Sequence, residues 1–322
     1  MNKSCTPKVT IIIPTYNQVN YIKVTIESAL KQSYDNLEIV VVDDNSTDKT
    51  GKIAKECAST DSRIKYYCNQ ENIGRVANYR RALYHYATGE YVVNLDGDDE
   101  FFDNTFIAKA IKELEKEENE RALMVVACKK MRTSKADVFI RHRIKEEIEI
   151  IPGVEFVKNI FSKYQFSHLT TIYNRKIALE TNFYSLPIQS TDIDSILRLA
   201  LKGNVILYNK IVGQWNETAS NISQNYDLAT SLKNLDWIES VSKELKGKIN
   251  SFSVLLWRKK CQVKFSFPIL IAIYKNPRYL FNYRFWMPIL KLIIPIMIFI
   301  LQYITQKVFK HKKSNITIVS LD

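Results

Sequence analysis

Short β-branched runs alternate with helical stretches over the first 130 residues, and two of those runs end directly in carboxylates. Val9–Ile13, stopped by Pro14, reads as a buried strand, as do Leu37–Val42, Ile64–Tyr67, Tyr91–Leu95 and Leu123–Cys128. Between them Ile22, Ile26, Ala29 and Leu30 recur at helical spacing, and Asp48–Ala58, Val76–Ala87 and Phe106–Glu117 also read as helices. Ser46 or Thr47 is the expected cap of the helix at Asp48, and Thr88-Gly89 the stop of the helix from Val76. Strands alternating with helices in this way predict βαβ units, a largely parallel sheet and an α/β fold. Such sheets bind ligands at the carboxyl ends of their strands. Asp43-Asp44 close the second run and Asp96-Gly97-Asp98-Asp99 the fourth, so the acids fall where such a sheet keeps its site.

The middle of the chain is less regular. Residues 129–150 are charged and read as an excursion of loop or strand. A short helix is expected over Val154–Phe161, a strand over His168–Tyr173 and another over Val205–Tyr208. Asp192–Leu201 is a well-formed helix with Ile193, Ile196, Leu197 and Ala200 on one face, and Gly203 ends it. Tyr226–Leu245 reads as helical. The five cysteines are scattered and odd in number, which suits reduced thiols in a cytosolic compartment rather than a disulfide framework. The four histidines, His85, His142, His168 and His311, are too dispersed for a zinc site and read as surface or packed residues.

A strand-end Asp-x-Asp is a hard, oxygen-rich site, suited to Mg²⁺ or Mn²⁺ bound together with substrate phosphates. Taken singly, each candidate also has a plainer reading. Asp-Gly-Asp-Asp is a common acidic turn, Asp43 or Asp192 a helix cap, Gly74 a turn glycine, and Arg75, Arg80 and Arg81 the solvated face of a helix. The set of three acid clusters, two of them at the ends of buried strands, favours chemistry.

Four segments in order then carry a resemblance: Ile-Ile-Ile-Pro-Thr-Tyr-Asn at 11–17, Val-Val-Asp-Asp-Asn-Ser-Thr-Asp at 41–48, Asn72-Ile73-Gly74, and Ala-Thr-Gly-Glu-Tyr-Val-Val-Asn-Leu-Asp-Gly-Asp-Asp at 87–99. From about Val9 to about Ser223 the chain resembles the family 2 glycosyltransferases of the nucleotide-diphospho-sugar transferase (GT-A) fold. The resemblance implies a donor pocket lined by Pro14, Thr15 and Tyr16, with Asp43 accepting from a uracil ring. Asp44 would be structural or near the base. Asn72 and Gly74 would begin the loop that closes over the nucleotide, and Arg75 or Arg80 would meet the diphosphate. Asp96 and Gly97 would lie against the ribose or sugar, with Asp98 ligating the metal and Asp99 assisting. The family's acid pair ahead of a helix appears here as Thr191-Asp192, so Asp192 keeps the position of the base and Asp194 is its rival on the same turn. A carboxylate in a first helical turn meets the positive end of the macrodipole, which favours its ionised, proton-accepting form. Gly213-Gln214-Trp215 is similar to part of the Gln-x-x-Arg-Trp motif of processive synthases, and the partial match implies single addition, with Trp215 a candidate acceptor platform. The implied reaction is inverting transfer from a UDP-linked sugar to a glycan or lipid-linked glycan during cell-surface polysaccharide synthesis.

The net charge of +12 is carried by the tail. Lys246–Lys313 holds fourteen basic residues and no acid, whereas residues 1–245 hold 32 basic and 33 acidic ones. Such asymmetry calls for an anionic partner. Phe285–Gln306 has Lys291 as its only charge, with Pro288 and Pro295 to kink it. Twenty-two residues would span about 33 Å as a helix, close to bilayer thickness. Spanning and interfacial arrangements both stay open, and the aliphatic run Ile293–Leu301 argues for lipid rather than nucleic acid. No secretory leader is expected, since Lys8 is followed by only five apolar residues before Pro14. The organisation expected is therefore a catalytic domain at 1–224 and a helical, basic, membrane-associating region at 225–322, on the cytoplasmic face of the cell membrane. A sugar nucleotidyltransferase would show a glycine-rich phosphate loop after the first strand, and a non-catalytic scaffold of the same fold would lack the acids. A dinucleotide oxidoreductase is excluded because no Gly-x-Gly-x-x-Gly follows the first strand.

Overall fold

The structure is a computed structural model that describes residues 6–218, 227–266, 269, 271, 272 and 274. It divides into two compact units, Met1–Ile222 and Ser223–Asp322.

In the first unit, β1 (Val9–Thr15), β2 (Leu37–Asp43) and β4 (Tyr91–Asn94) are buried at every position, while β3 (Ile64–Cys68) is buried only in part. Strands covered on both faces read as continuous apolar runs, which is why these segments stood out. Helices α1 (Ile22–Leu30) and α2 (Thr50–Thr60) make the first two crossovers. The third is α3 (Arg75–Arg81), which runs into a single π-turn at Ala82–Tyr86. All pairings among β1–β4 are parallel, in the order β3-β2-β1-β4. Ile11, Ile13, Ile39, Val41 and Val93 meet Ile22, Ile26 and Ala29 of α1 in one continuous core. That core also takes in Phe106, Ile107, Ala110 and Ile111 of α4 (Phe106–Leu114).

Beyond β4 the sheet is mixed rather than mostly parallel. A two-residue strand β5 (Glu100–Phe101) leads to α4, and then come β6 (Ala122–Arg132), β7 (Asp137–Ile140), β8 (Ile148–Pro152), α5 (Gly153–Asn159), β9 (Thr171–Asn174), α6 (Arg175–Glu180), α7 (Thr191–Ala200) and β10 (Asn204–Asn216). β9 joins antiparallel between β4 and β6, and β6 pairs parallel with β10. β5, β7 and β8 add antiparallel edges. Residues 129–150 thus hold the end of β6, its hairpin partner β7 and the start of β8, which pairs with β10. The strand expected at His168 starts three residues later, after a 3₁₀ turn over His168–Thr170.

Local chemistry corrects the expected cap. Neither Ser46 nor Thr47 caps α2; Asp48 Oδ1 accepts from the Thr50 amide at 2.8 Å, while the Ser46 hydroxyl donates to Asp43 at 2.6 Å.

In the second unit the stretch expected to be helical up to Leu245 holds two helices, α8 (Leu228–Lys233) and α9 (Asp236–Leu245), followed by α10 (Ser251–Phe265). Asp227 and Asn250 cap α8 and α10 through their side chains. Trp237 is fully buried, edge-on to Trp257 and Phe265. The apolar segment Phe285–Gln306 lies outside the described residues, and no helix among those described is long and apolar enough to cross a membrane.

Candidate active site

Sheet register gathers the first group of residues. Thr15 is paired with Asp43, and Asp43 with Cys68. The Gly97 amide donates to Pro14 O at 3.2 Å and the Leu95 amide to Ile12 O at 2.9 Å, so ladder-like bonding continues past β4. Pro14-Thr15, Asp43-Asp44 and Asp96-Gly97 therefore lie side by side at the carboxyl edge of the sheet. A Cβ on Gly97 would come within 2.2 Å of Gln18 Oε1 and 2.7 Å of Thr15 Oγ1, so a side chain here would force both neighbours to shift. Tyr16, just past the strand, is 43% exposed.

The two aspartates of β2 are tied into the frame. Asp43 accepts at Oδ1 from the Ser46 amide and hydroxyl and at Oδ2 from Tyr66 at 2.8 Å. Asp44 accepts from Asn69 Nδ2 and from the Ile73 and Gly74 amides, each at 2.8–2.9 Å. Gly74 has φ +86°, a left-handed conformation that glycine adopts without strain, and Asn72 Oδ1 accepts from its amide. Asp44 thus anchors the loop that Asn72 and Gly74 form ahead of α3.

Arg75 and Arg80 have different roles. Arg75 Nε donates to Tyr79 Oη at 2.8 Å, and Nη1 to Gln189 O at 3.3 Å. Burial disfavours its charge, but Tyr79, Asp96 and Asp192 outweigh that and raise its pKa. Arg80 is pinned to Asn182 Oδ1 and Phe183 O and lies over the Tyr84 ring, as a structural strut.

Asp96 is gripped on both oxygens, by Tyr79 Oη at 2.6 Å and His168 Nε2 at 3.2 Å. Burial alone would raise its pKa, but His168, Arg75 and Tyr79 hold it at about 2. Its neighbours go the other way. Burial and the charge of Asp96 push Asp98 up to about 6, and burial with Asp98 and Asp96 pushes Asp99 well above the usual carboxylate range. The Asp98-Asp99 turn is held from β10: the Asn216 amide donates to Asp99 Oδ1 at 3.0 Å, Asn216 Nδ2 to Asp98 O at 2.8 Å and Thr218 Oγ1 to Asp98 Oδ2 at 3.3 Å.

Helix α7 packs against α5, α6 and β6 and carries the remaining acids. Asp192 is partly buried and close enough to Arg75 and Lys129 to act on both charges. Asp194 is fully buried and paired with Arg198 at 2.9 Å, which removes it as a rival to Asp192. Trp215 packs partly on the core, with Lys129 Nζ 5.9 Å from its ring centre.

A family model described as glycosyl transferase family 2 matches residues 10–183. The chain belongs to this family. It is 45% identical over 92 residues to the glycosyltransferase GlyA of Streptococcus pneumoniae, a stretch covering 29% of this chain and 13% of that protein. It is 40% identical over 95 residues to the GalNAc(5)-diNAcBac-PP-undecaprenol beta-1,3-glucosyltransferase of Campylobacter jejuni, covering 29% and 30%. The chain therefore spans less than a third of either relative's length. Among solved structures, that of S. aureus TarS 1–349 in complex with UDP-GlcNAc superposes with a TM-score of 0.70 at 18% identity, over 90% of this chain and 81% of that one. The mannosyltransferase PcManGT from Pyrobaculum calidifontis, in complex with GDP-Man and Mn²⁺, gives 0.54 at 17% identity, over 92% and 87%. The fold is therefore that of the GT-A transferases.

In this family member the donor set fits a hard cation. Among the described residues no three His, Cys, Asp or Glu side chains form a metal cluster. Two adjacent buried carboxylates with raised pKa values, Asp98 and Asp99, instead match an ion held by one or two carboxylates and completed by substrate phosphates. Three residues of the site were missed from sequence. His168, expected to be a surface or packed residue, is packed and also holds Asp96. Lys129, one of a Lys-Lys pair, is drawn to Asp99, Asp192 and Asp96, although burial lowers its pKa. Tyr79 sits among the helical residues of α3 and joins Arg75 to Asp96. The four described cysteines, Cys57, Cys68, Cys128 and Cys261, are free thiols.

Proposed function

We propose that the chain transfers a sugar from a nucleotide-diphospho-sugar, UDP-linked by the Asp43 motif, to a hydroxyl of a glycan or lipid-linked glycan, with inversion. The observation that carries this reading is that Arg75 donates both to Tyr79, which holds Asp96 at the tip of β4, and to Gln189 O just ahead of α7, the helix that begins with Thr191-Asp192. One guanidinium thus joins the acidic tip of β4 to the start of α7. Arg75 binds the diphosphate, Asp96 orients the ribose or sugar, and Pro14, Thr15, Tyr16, Gly97 and the Asn72–Gly74 loop shape the nucleotide pocket. Asp43 meets the base with an oxygen edge already ordered by Ser46 and Tyr66. Asp192 takes the proton of the attacking acceptor hydroxyl, and Trp215 supports the acceptor ring. A Mg²⁺ or Mn²⁺ held by Asp98 and Asp99 supplies neutralisation of the charge on the departing diphosphate. The Campylobacter relative, by its printed name, acts on an undecaprenol-linked acceptor, and the basic, apolar segment after Lys246 suits contact with an anionic membrane surface. The cytoplasmic membrane face and a role in surface-polysaccharide synthesis belong to the same proposal. A donor screen by thermal shift and sugar release, with and without Mn²⁺, tests it. Stabilisation by a UDP-sugar that requires the metal is expected, and indifference to every nucleotide sugar refutes it.

A further inference from the structure

We infer that His168 is a positioning residue of the donor site, acting through Asp96; this rests on the reading of Asp96 as the group that meets the donor's ribose or sugar. His168 lies in the 3₁₀ turn ahead of β9, far in sequence from the acidic motif, and is 6% exposed. A carboxylate is acceptor-only, so the contact is Nε2–H donating to Oδ2, at 3.2 Å. Tyr79 Oη donates to the other oxygen at 2.6 Å and meets the imidazole edge-on, with ring centres 5.5 Å apart. Burial keeps the Tyr79 phenol protonated, so it can donate. One carboxylate is thus held at both oxygens by two neighbouring, tightly packed rings.

A carboxylate oxygen offers two lone pairs, and each ring uses one per oxygen. The remaining lone pairs are left in a fixed direction for ligand hydroxyls. Without His168 the carboxylate keeps a single anchor and rotates about its Cβ–Cγ bond. The donor then bears the cost of ordering it on binding. His168 Nδ1 is buried and has no hydrogen-bond partner among the described residues, so the protein engages the ring through Nε2 alone. A packed core histidine would need no particular nitrogen, whereas a positioning histidine needs this one.

The test is a set of variants in the full chain, with the Kd of UDP in Mn²⁺ read by calorimetry, the donor KM and kcat by sugar release, and Tm by thermal scan. His168→Gln puts an amide N–H near the place of Nε2, whereas the shorter His168→Asn reaches only the place of Nδ1. His168→Leu is expected to weaken UDP binding and raise donor KM by about 10-fold, the weight of one hydrogen bond to a charged group. The Gln variant should restore affinity to within about 3-fold, and the Asn variant should not. In an Asp96→Asn background His168→Leu should add less than about 2-fold, since its route to the ligand is already cut. Equal affinity in wild type and His168→Leu, an effect that persists in full in the Asp96→Asn background, or a Gln variant no better than Leu would each overturn the inference while leaving the donor reading intact. A wild-type protein that binds no nucleoside diphosphate would overturn both.

Discussion

Asp192 and Asp194 sit two residues apart in the first turn of α7, in different surroundings, and the proposed function gives them opposite roles. Asp194 is 0% exposed, and its Oδ2 accepts from Arg198 Nε at 2.9 Å. The same guanidinium donates to Thr181 O at 2.5 Å, Asn182 O at 3.1 Å and Ser185 Oγ at 3.2 Å, so the pair ties α7 to the turn after α6. Asp194→Asn keeps the shape and removes the charge. Removing one partner of a buried ion pair costs about 3–5 kcal/mol. Arg198 keeps its three oxygen acceptors, so the lower end, about 3 kcal/mol, is expected. At about 2–4 °C per kcal/mol for a domain of this size, Tm should fall by about 6–12 °C. Asp192→Asn removes a partly buried carboxylate outside that network but one of three that face buried Lys129, so it should cost about 1 kcal/mol, well below Asp194→Asn. It should lower transfer by about 10²–10⁴-fold, the worth of a general base. Thermal unfolding and sugar transfer, assayed well below either Tm, separate the two. A stable but inactive Asp194→Asn beside an active Asp192→Asn would refute the assignment.

Three further outcomes follow from the geometry. Glu38 is 3% exposed and accepts from Lys8 and Lys65, Thr10 and the Thr88 amide; burial alone would raise its pKa, but these partners hold it at about 2. Because the folded pKa is depressed, its contribution of about 3 kcal/mol is present above about pH 4.5 and is lost as pH falls towards 2; urea unfolding of Glu38→Gln should lack that acid-side slope. Arg75→Met should weaken UDP binding by about 10- to 100-fold in calorimetry, whereas Arg80→Met should lower Tm and leave UDP binding within about 2-fold. Gly97→Ala sets a methyl against Gln18 and Thr15, so it should cost about 1–3 kcal/mol in thermal unfolding, and Gln18→Ala should relieve part of that cost.

What was legible in the sequence follows the solvent. β1, β2 and β4 are covered on both faces, so selection for burial wrote uninterrupted Val and Ile runs that any apolar-period reading finds. β7 is exposed or nearly so at all four positions, and its apolar run, Val138-Phe139-Ile140, is too short within a charged stretch to mark a strand. The switch to a mixed sheet is invisible for a related reason. β9 has four residues, and antiparallel insertion between β4 and β6 is set by where the chain re-enters, not by the composition of the strand. The expected Ser46 cap of α2 does not form because the hydroxyl and amide of Ser46 both serve Asp43, and Asp48 takes the Thr50 amide.

The site divides along the same line, and the division has a physical cause. Acids at the ends of buried strands are readable because strand and acid are adjacent in sequence, so Asp43, Asp96, Asp98 and Asp99 could be placed before any coordinates. The groups that set their charge are distant in sequence: His168 is 72 residues from Asp96, and Thr218 is 120 from Asp98. Lys129 lies outside any hydrophobic pattern as one of two consecutive lysines, yet register puts it opposite Gly213, where the missing side chain leaves β10 low beside it. A cation there is worth burying only because Asp99, Asp192 and Asp96 share its field, and together they outnumber it. Burial, with the charge of Asp96, raises the pKa of Asp98, and burial with Asp98 and Asp96 raises that of Asp99. A cation at these two carboxylates, as proposed for the donor-bound metal, would offset both.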